Sequence, residues 1–391
     1  MKYNFDEIIQ RRNTGSTKWD AAESDDVLPM WVADMDFRTA PAVMEALIRR
    51  AQHGVFGYVK PPAAYYDAVI GWFANHHHFA IQKEWIRYTT GVVPAISAII
   101  KALTVPGDQV IVQTPVYHCF FPCILNNGCE IVANELIYKD GVYRIDFDDL
   151  EKKASDPKAK LFLLCSPHNP AGRVWKKEEL LRMGEICLRH HVTVISDEIH
   201  CDLVFAGHQH IPFATLSDEM RQNSVTCTAP SKTFNIAGLQ AANIIAPDKT
   251  IRQQLDKAIS TNEINAINPF GVDALTAAYN EGSEWLEAVK LYIYNNYLFL
   301  KEFIAKELPF IHIAPLEATY LVWMDFSATG QSSQTITANL MDNENLWVNS
   351  GSMYGANGEG FIRLNIACPR ALLEKGLNKI KKLYSSFISH S

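Results

Sequence analysis

Apolar residues along this chain fall into two interleaved patterns. Short apolar runs of strand length occur at 109–113, 130–134, 160–165, 192–196, 224–229 and 242–246. Each is too short for a helix and is flanked by polar or turn-forming residues, which predicts buried strands. Between them, apolar residues recur every three or four positions. Ile96, Ile99, Ile100 and Leu103 form one such stripe after Gly91-Val92-Val93-Pro94, and 177–191 has the same amphipathic spacing. Strands alternating with helices predict an α/β fold with a mostly parallel sheet covered on both faces. Upstream, 41–52 reads as a helix with Thr39 as its N-cap and Pro41 in its first turn. A loop rich in Gly, Pro and aromatics follows at 54–62, then a second helix at 64–75. From about Ser283 the pattern changes to a long helix at 284–307, a strand at 320–326 and a polar helix at 369–386. We expect a large domain over 48–283 and a smaller α+β domain built from 1–47 and 284–391.

Composition narrows the partners. The chain has 391 residues, 48% hydrophobic and 20% charged, long enough for two domains with a large core. Its formal charge of −7 and the lack of a dense basic run give no support to nucleic-acid binding. The N-terminal stretch is polar and acidic, and the longest apolar runs, such as 92–100, are too short for a bilayer; no membrane partner and a cytoplasmic location are expected. The eight cysteines lack paired metal-site spacing, so reduced thiols are expected, several of them buried. His76-His77-His78 sit at a helix end without a neighbouring acidic set and are expected to be solvated. His208 and His210 read as loop residues. No metal site is expected.

Candidate chemistry sits at the strand ends, where sheets of this kind bind ligands. Gly91, Val92 and Val93 open a helix whose free N–H groups and positive end can hold a phosphate. Tyr117, after the strand at 109–113, is either a packing residue or a stacking platform for a flat ring. Asn169, in Ser166-Pro167-His168-Asn169-Pro170, is either a turn residue or an amide donor. Asp197, in Ser196-Asp197-Glu198-Ile199-His200, is either a helix cap or a buried carboxylate paired with a cationic nitrogen. Lys232, in Ser231-Lys232-Thr233, follows the strand at 224–229; held off the bulk surface, its amine can attack a carbonyl and form a Schiff base. Taken singly, each residue has an ordinary structural explanation. Together and in this order they supply what pyridoxal 5′-phosphate needs: a phosphate cradle, a stacking ring, a ring-oxygen donor, a pyridinium partner and a lysine anchor that also serves as base and acid at the substrate Cα.

The residues Asn169-Pro170, Asp197-Glu198-Ile199-His200 and Ser231-Lys232-Thr233 resemble those of the fold-type I pyridoxal-phosphate enzymes of the class I/II aminotransferase group, over nearly the whole chain. Within that group, Met30-Trp31-Val32-Ala33-Asp34-Met35-Asp36-Phe37, Asp197–Asp202 and Ala229–Gly238 resemble the MalY/PatB-type cystathionine β-lyases. The resemblance implies a seven-stranded, mostly parallel sheet and a homodimer with shared active sites. It implies that Arg363, in Phe361-Ile362-Arg363-Leu364-Asn365, grips the substrate α-carboxylate, and that Tyr58 reaches the phosphate of the neighbouring subunit. It also implies that Asn169 and Tyr58 contact substrate as well as cofactor. His200 takes the place of a tyrosine found at the ring oxygen in aspartate aminotransferases, and Gln240 that of a phosphate-binding arginine, so Ser231, Val92, Val93 and Tyr58 would carry more of the phosphate. The implied reaction is α,β-elimination of cystathionine or a related cysteine conjugate to a thiol, pyruvate and ammonia, with Lys232 and Tyr117 as catalytic groups. Tyr320 is either a pocket wall or core. Transamination uses the same residues and is the enzymatic alternative. A regulatory, protein-binding role on the same scaffold is the other; relatives of that kind carry an added helix-turn-helix domain, for which no spare length is expected here.

Overall fold

Seven short strands lie side by side because most of their residues are buried and their backbone groups must pair with one another. The computed structural model describes residues 2–261 and 267–385. The strands are Ile86–Thr89 (β1), Gln109–Val112 (β2), Glu130–Ala133 (β3), Ala159–Cys165 (β4), Thr193–Asp197 (β5), Ser224–Thr228 (β6) and Ala242–Ile245 (β7). Their order across the sheet is β1-β7-β6-β5-β4-β2-β3. All neighbours run parallel except β7, which is antiparallel to both β1 and β6. The mostly parallel seven-stranded sheet is therefore the one expected. β1 has no counterpart in the sequence reading, since the apolar–polar alternation of Ile86-Arg87-Tyr88-Thr89 runs for only four residues.

Register is what places the chemistry. Cys165 of β4 pairs with Asp197 of β5, and Asp197 pairs with Cys227 of β6. The chain therefore leaves these three adjacent strands at one level, and the turns carrying Asn169, His200 and Lys232 share one edge. Helix Val92–Leu103 packs beneath β7 and against helix Lys249–Thr261, while Pro269–Glu281 packs against Pro41–His53 and Ala63–His77.

Four further strands, His312–Ile313 (β8), Leu321–Asp325 (β9), Asn349–Ser350 (β10) and Phe361–Asn365 (β11), form an antiparallel sheet in the order β8-β9-β11-β10. Leu28–Pro29 pairs in parallel with Leu346–Trp347, which ties the N-terminal segment to this C-terminal part. The long helix spans Ser283–Glu307 and the last described helix Arg370–Tyr384; position 386, its expected end, lies outside the described residues. Thr39 does not cap the first long helix. Ala40 is the cap residue, and the Thr39 hydroxyl is buried without a partner. Pro41 at the first position lacks an N–H, so one donor that a cap would satisfy is absent. All eight cysteines are free thiols, and seven are buried.

Candidate active site

A cavity of about 160 Å³ opens at the carboxyl ends of β4, β5 and β6. Its wall includes Gly91, Val92, Val93, Tyr117, Asn169, Asp197, His200, Ser231 and Lys232, nine positions singled out from the sequence and spread over more than 140 residues of chain. It also includes Ala33, Thr90 and Ile199, which sequence reasoning passed over.

Lys232 sits on one helical turn, Pro230–Thr233, directly after β6. Its Nζ donates to the Ala33 carbonyl at 2.7 Å, and the Tyr320 hydroxyl donates to the same oxygen at 3.0 Å. Burial lowers the amine pKa to about 8; the Arg363 charge adds to this, while Asp34 and Asp197 oppose it. At neutral pH about one molecule in ten then carries a neutral amine, against fewer than one in a thousand for an ordinary lysine. The Ala33 contact was hidden in the sequence because a backbone carbonyl has no residue signature. The only pointer was the motif 30–37, quoted for its resemblance and given no contact.

Asp197 ends β5 and is 3% exposed. One oxygen accepts the Ile199 N–H at 3.1 Å, so the carboxylate does shape its own turn. Burial drives its pKa up to about 7, with Glu198 adding to the rise and the Ile199 N–H and Lys232 opposing it. A carboxyl buried with so little compensation is one that gains by pairing with a cation.

Asn169 and Arg363 meet across the two sheets. Arg363 lies on β11, an internal strand of its sheet, and is 2% exposed. Its guanidinium donates to Asn169 Oδ1 at 3.1 Å and to the Trp31 carbonyl at 2.8 Å, and it lies over the Tyr354 ring. With Oδ1 turned to Arg363, the amide NH2 of Asn169 is the end left to face the cavity. The Arg363 Nε is buried with no partner. Arg363 is not itself on the cavity wall and joins it through Asn169, and an uncommitted, buried N–H on a fork-shaped cation is suited to a carboxylate.

The first residues of helix Val92–Leu103 lie on the cavity wall, and the first N–H groups of a helix have no acceptors within it. Tyr117 is held neutral, its pKa pushed well up by burial and by Cys119, which suits a stacking ring better than a proton donor. His200 is buried with Nδ1 unpartnered; burial and the charges of Lys232 and Arg363 pull its pKa down to about 3, so the ring is neutral. Tyr58 stands apart on the exposed 54–62 loop, fully open to solvent and off this cavity's wall. Gln240 takes a left-handed conformation with φ 53°, and its carbonyl accepts the Tyr88 hydroxyl at 2.6 Å. Tyr320 is fully buried, and it meets the site through its hydroxyl and through an edge-to-face contact of its ring with His200 at 6.2 Å.

One histidine expectation is corrected, at His77, while His210 lies in a loop as expected but is buried there. The His77 side chain is 7% exposed and meets Asp202 at 2.6 Å. His210 is 5% exposed and bonds Glu198 at 3.0 Å. Asp202 lies 125 residues from His77, so adjacency along the chain could not reveal it, whereas Glu198 is 12 residues from His210.

Pyridoxal phosphate can be tested against this donor set. A buried carboxyl short of a cation, an unpartnered imidazole nitrogen, a buried lysine amine and an open helix N-terminus line one cavity, and each matches a group of that cofactor. The residues present fit it.

Comparison with known proteins agrees. The model of the aminotransferase class I and II family matches residues 25–380. The chain is 48% identical over 386 residues to the cystathionine beta-lyase PatB of Bacillus subtilis, covering 98% of this chain and 100% of that one. Among solved structures, it superposes on cystalysin from Treponema denticola, which contains pyridoxal 5′-phosphate, with a TM-score of 0.94, 37% identity and coverage of 99% and 100%. The pyridoxal-phosphate-bound C-S lyase from Staphylococcus hominis gives a TM-score of 0.91, 35% identity and coverage of 97% and 98%.

Proposed function

From the premise that this chain belongs to the aminotransferase class I and II family, we propose that it is a pyridoxal-phosphate-dependent carbon–sulfur β-lyase of the cystathionine β-lyase type. The observation that carries the reading is near-full-length similarity to a cystathionine beta-lyase, joined to a cavity whose residues fit the cofactor. The substrate is an amino acid with sulfur on Cβ. Elimination breaks the Cα–H and Cβ–S bonds, and hydrolysis of the remainder yields pyruvate and ammonia beside the thiol.

Each step asks something specific of the chain. Arg363 binds the α-carboxylate through its free N–H groups and orients Cα, while its bond to Asn169 keeps that amide turned inward. Lys232, anchoring the cofactor until substrate arrives, then takes the Cα proton; an amine already near pKa 8 is matched to that task at neutral pH. When bound, the cofactor supplies an electron sink for the charge left on Cα. Asp197 would pair with the ring nitrogen and favour a proton there, which would keep that sink deep. The N–H groups of Val92 and Val93, the Ser231 hydroxyl and Tyr58 of the partner subunit would hold the phosphate. That last contact requires a homodimer, and the complete exposure of Tyr58 in one chain supports it. Tyr117 would stack on the ring. Among the described residues no helix is long and apolar enough to cross a membrane, and a cytoplasmic setting suits the metabolic role we infer.

Transamination would use the same residues, and the lyase reading predicts a different stoichiometry. Purified protein given cystathionine and no keto acid should release pyruvate continuously. A single turnover that leaves the cofactor as its amine form would overturn the lyase assignment. Arg363→Lys should keep a positive charge but lose the fork geometry, raising KM and lowering kcat/KM about 100-fold. Steady-state kinetics with wild-type KM in that variant would remove Arg363 from carboxylate binding.

A further inference from the structure

The cavity residues Asp197 and Lys232 each have an immediate neighbour that points the other way, into the protein. Thr233, next to Lys232, is fully buried, and its hydroxyl donates to Asp202 Oδ2 at 2.8 Å. The other oxygen of Asp202 takes the Trp72 indole N–H at 3.0 Å and meets His77 Nε2 at 2.6 Å. Asp202 itself is 6% exposed, and these bonds, with His77 foremost, hold its carboxyl below the usual range against the opposing effect of burial. The carboxylate thus ties together three separate pieces of chain: the end of helix Ala63–His77, the turn that follows β5, and the turn that carries Lys232.

The ligand atoms of His77, Cys201 and Asp202 lie within 4.8 Å of one another, which invites comparison with a metal site. The carboxylate, however, is already met by two N–H donors and one O–H donor, so the cluster is satisfied as hydrogen-bonded support. A second pair of the same kind lies beside it. Glu198, the neighbour of Asp197, takes the Ser196 hydroxyl at 2.9 Å and the Phe213 N–H at 2.9 Å as well as His210, and the rings of His77 and His210 sit edge to face at 5.6 Å.

We propose that His77, Asp202 and Thr233 form a positioning chain that sets the placement of the Lys232 amine, through the hydroxyl adjoining it in sequence and a carboxylate rooted in another helix. Lys232 stands on a turn of only four helical residues, too short to hold itself rigid. The Thr233–Asp202 bond fixes the far side of that turn, so the amine reaches the cavity from a defined point. The inference rests on the assignment of Lys232 as cofactor anchor and base.

The test compares Thr233→Val, which keeps shape and loses the hydroxyl, with Thr233→Ser, which keeps the hydroxyl. Two quantities are read in the full-length protein: kcat and KM for pyruvate release, and the rate at which cofactor-stripped protein regains its covalently attached pyridoxal phosphate by absorbance. T233V should lower both kcat and the reattachment rate about tenfold with KM little changed, because a small displacement of a reacting group is costly. T233S should recover both to within about twofold. A loss in T233S as large as that in T233V would mean that the retained hydroxyl does not rescue the site, overturning the proposal; wild-type rates in T233V would do the same. Should T233V not fold, His77→Gln decides: a folded H77Q with both rates unchanged overturns it, and a parallel fall in both supports it. Lys232→Ala serves as the control for the underlying assignment, since covalent attachment persisting there would reject Lys232 as anchor, whatever Thr233 does.

Discussion

Lys232→Ala should abolish covalent attachment of pyridoxal phosphate and lower kcat for pyruvate release by about 10⁴-fold or more, since in the proposed mechanism it removes both the anchor and the general base. The expected loss follows from where the amine sits. It is enclosed beside Arg363, held by the Ala33 carbonyl, and brought down to a pKa of about 8, so the wild-type residue is ready to give and take a proton at neutral pH. The absorbance of the bound cofactor and a mass measurement after borohydride reduction would show whether attachment is lost. Retained turnover in this variant would remove the central assignment, and a reduced adduct on any other lysine would relocate it. An added small amine should restore part of the rate, because an external base can enter a cavity that the missing side chain has enlarged.

Asp197→Asn should leave the cofactor attached through Lys232 and lower kcat about 10³-fold, the scale of removing one member of a buried charge pair. An amide of the same shape cannot favour a proton on the ring nitrogen, so the electron sink becomes shallow while binding contacts survive. The variant also makes a stability prediction. In the cofactor-free protein the Asp197 carboxyl has its pKa raised to about 7 by burial. A carboxyl whose folded pKa lies above its unfolded one favours folding in its protonated form. That contribution is complete below the unfolded pKa and is lost as pH rises through the folded value. Cofactor-free wild type should therefore lose more Tm than cofactor-free D197N between about pH 5 and about pH 8. Parallel Tm profiles for the two would show that Asp197 is not the buried titrating group.

Much of the site was legible because its residues are unusual for their local setting. A lysine between two small hydroxylated residues after a strand, an acidic residue at another strand end and an asparagine between prolines can be picked out by eye. Helix and strand periods placed most of the sheet as well. The missed pieces share a different trait. β1 is a mixed, partly exposed edge strand, so its pattern is weak. The Ala33 carbonyl acts through backbone. Asn235 bonds the Met35 N–H and the Met35 and Phe37 carbonyls, clamping the segment that carries Ala33, yet the two regions are 200 positions apart.

His77 illustrates the boundary between the two kinds of information. Its sequence neighbours suggest a wet helix end. The fold sets it against Asp202, 125 residues on, and turns it inward. Local pattern by itself determined the alternation of strands and helices, the candidate residues at strand ends and the chemistry those side chains can perform. These are short-range properties, governed by period and by side-chain type. Which strand ends lie level, which carboxyl is buried without a cation, and which carbonyl receives the lysine amine were decided only by the tertiary structure. The strand register and the packing of distant segments set those distances and the local dielectric, and no neighbour along the chain encodes either.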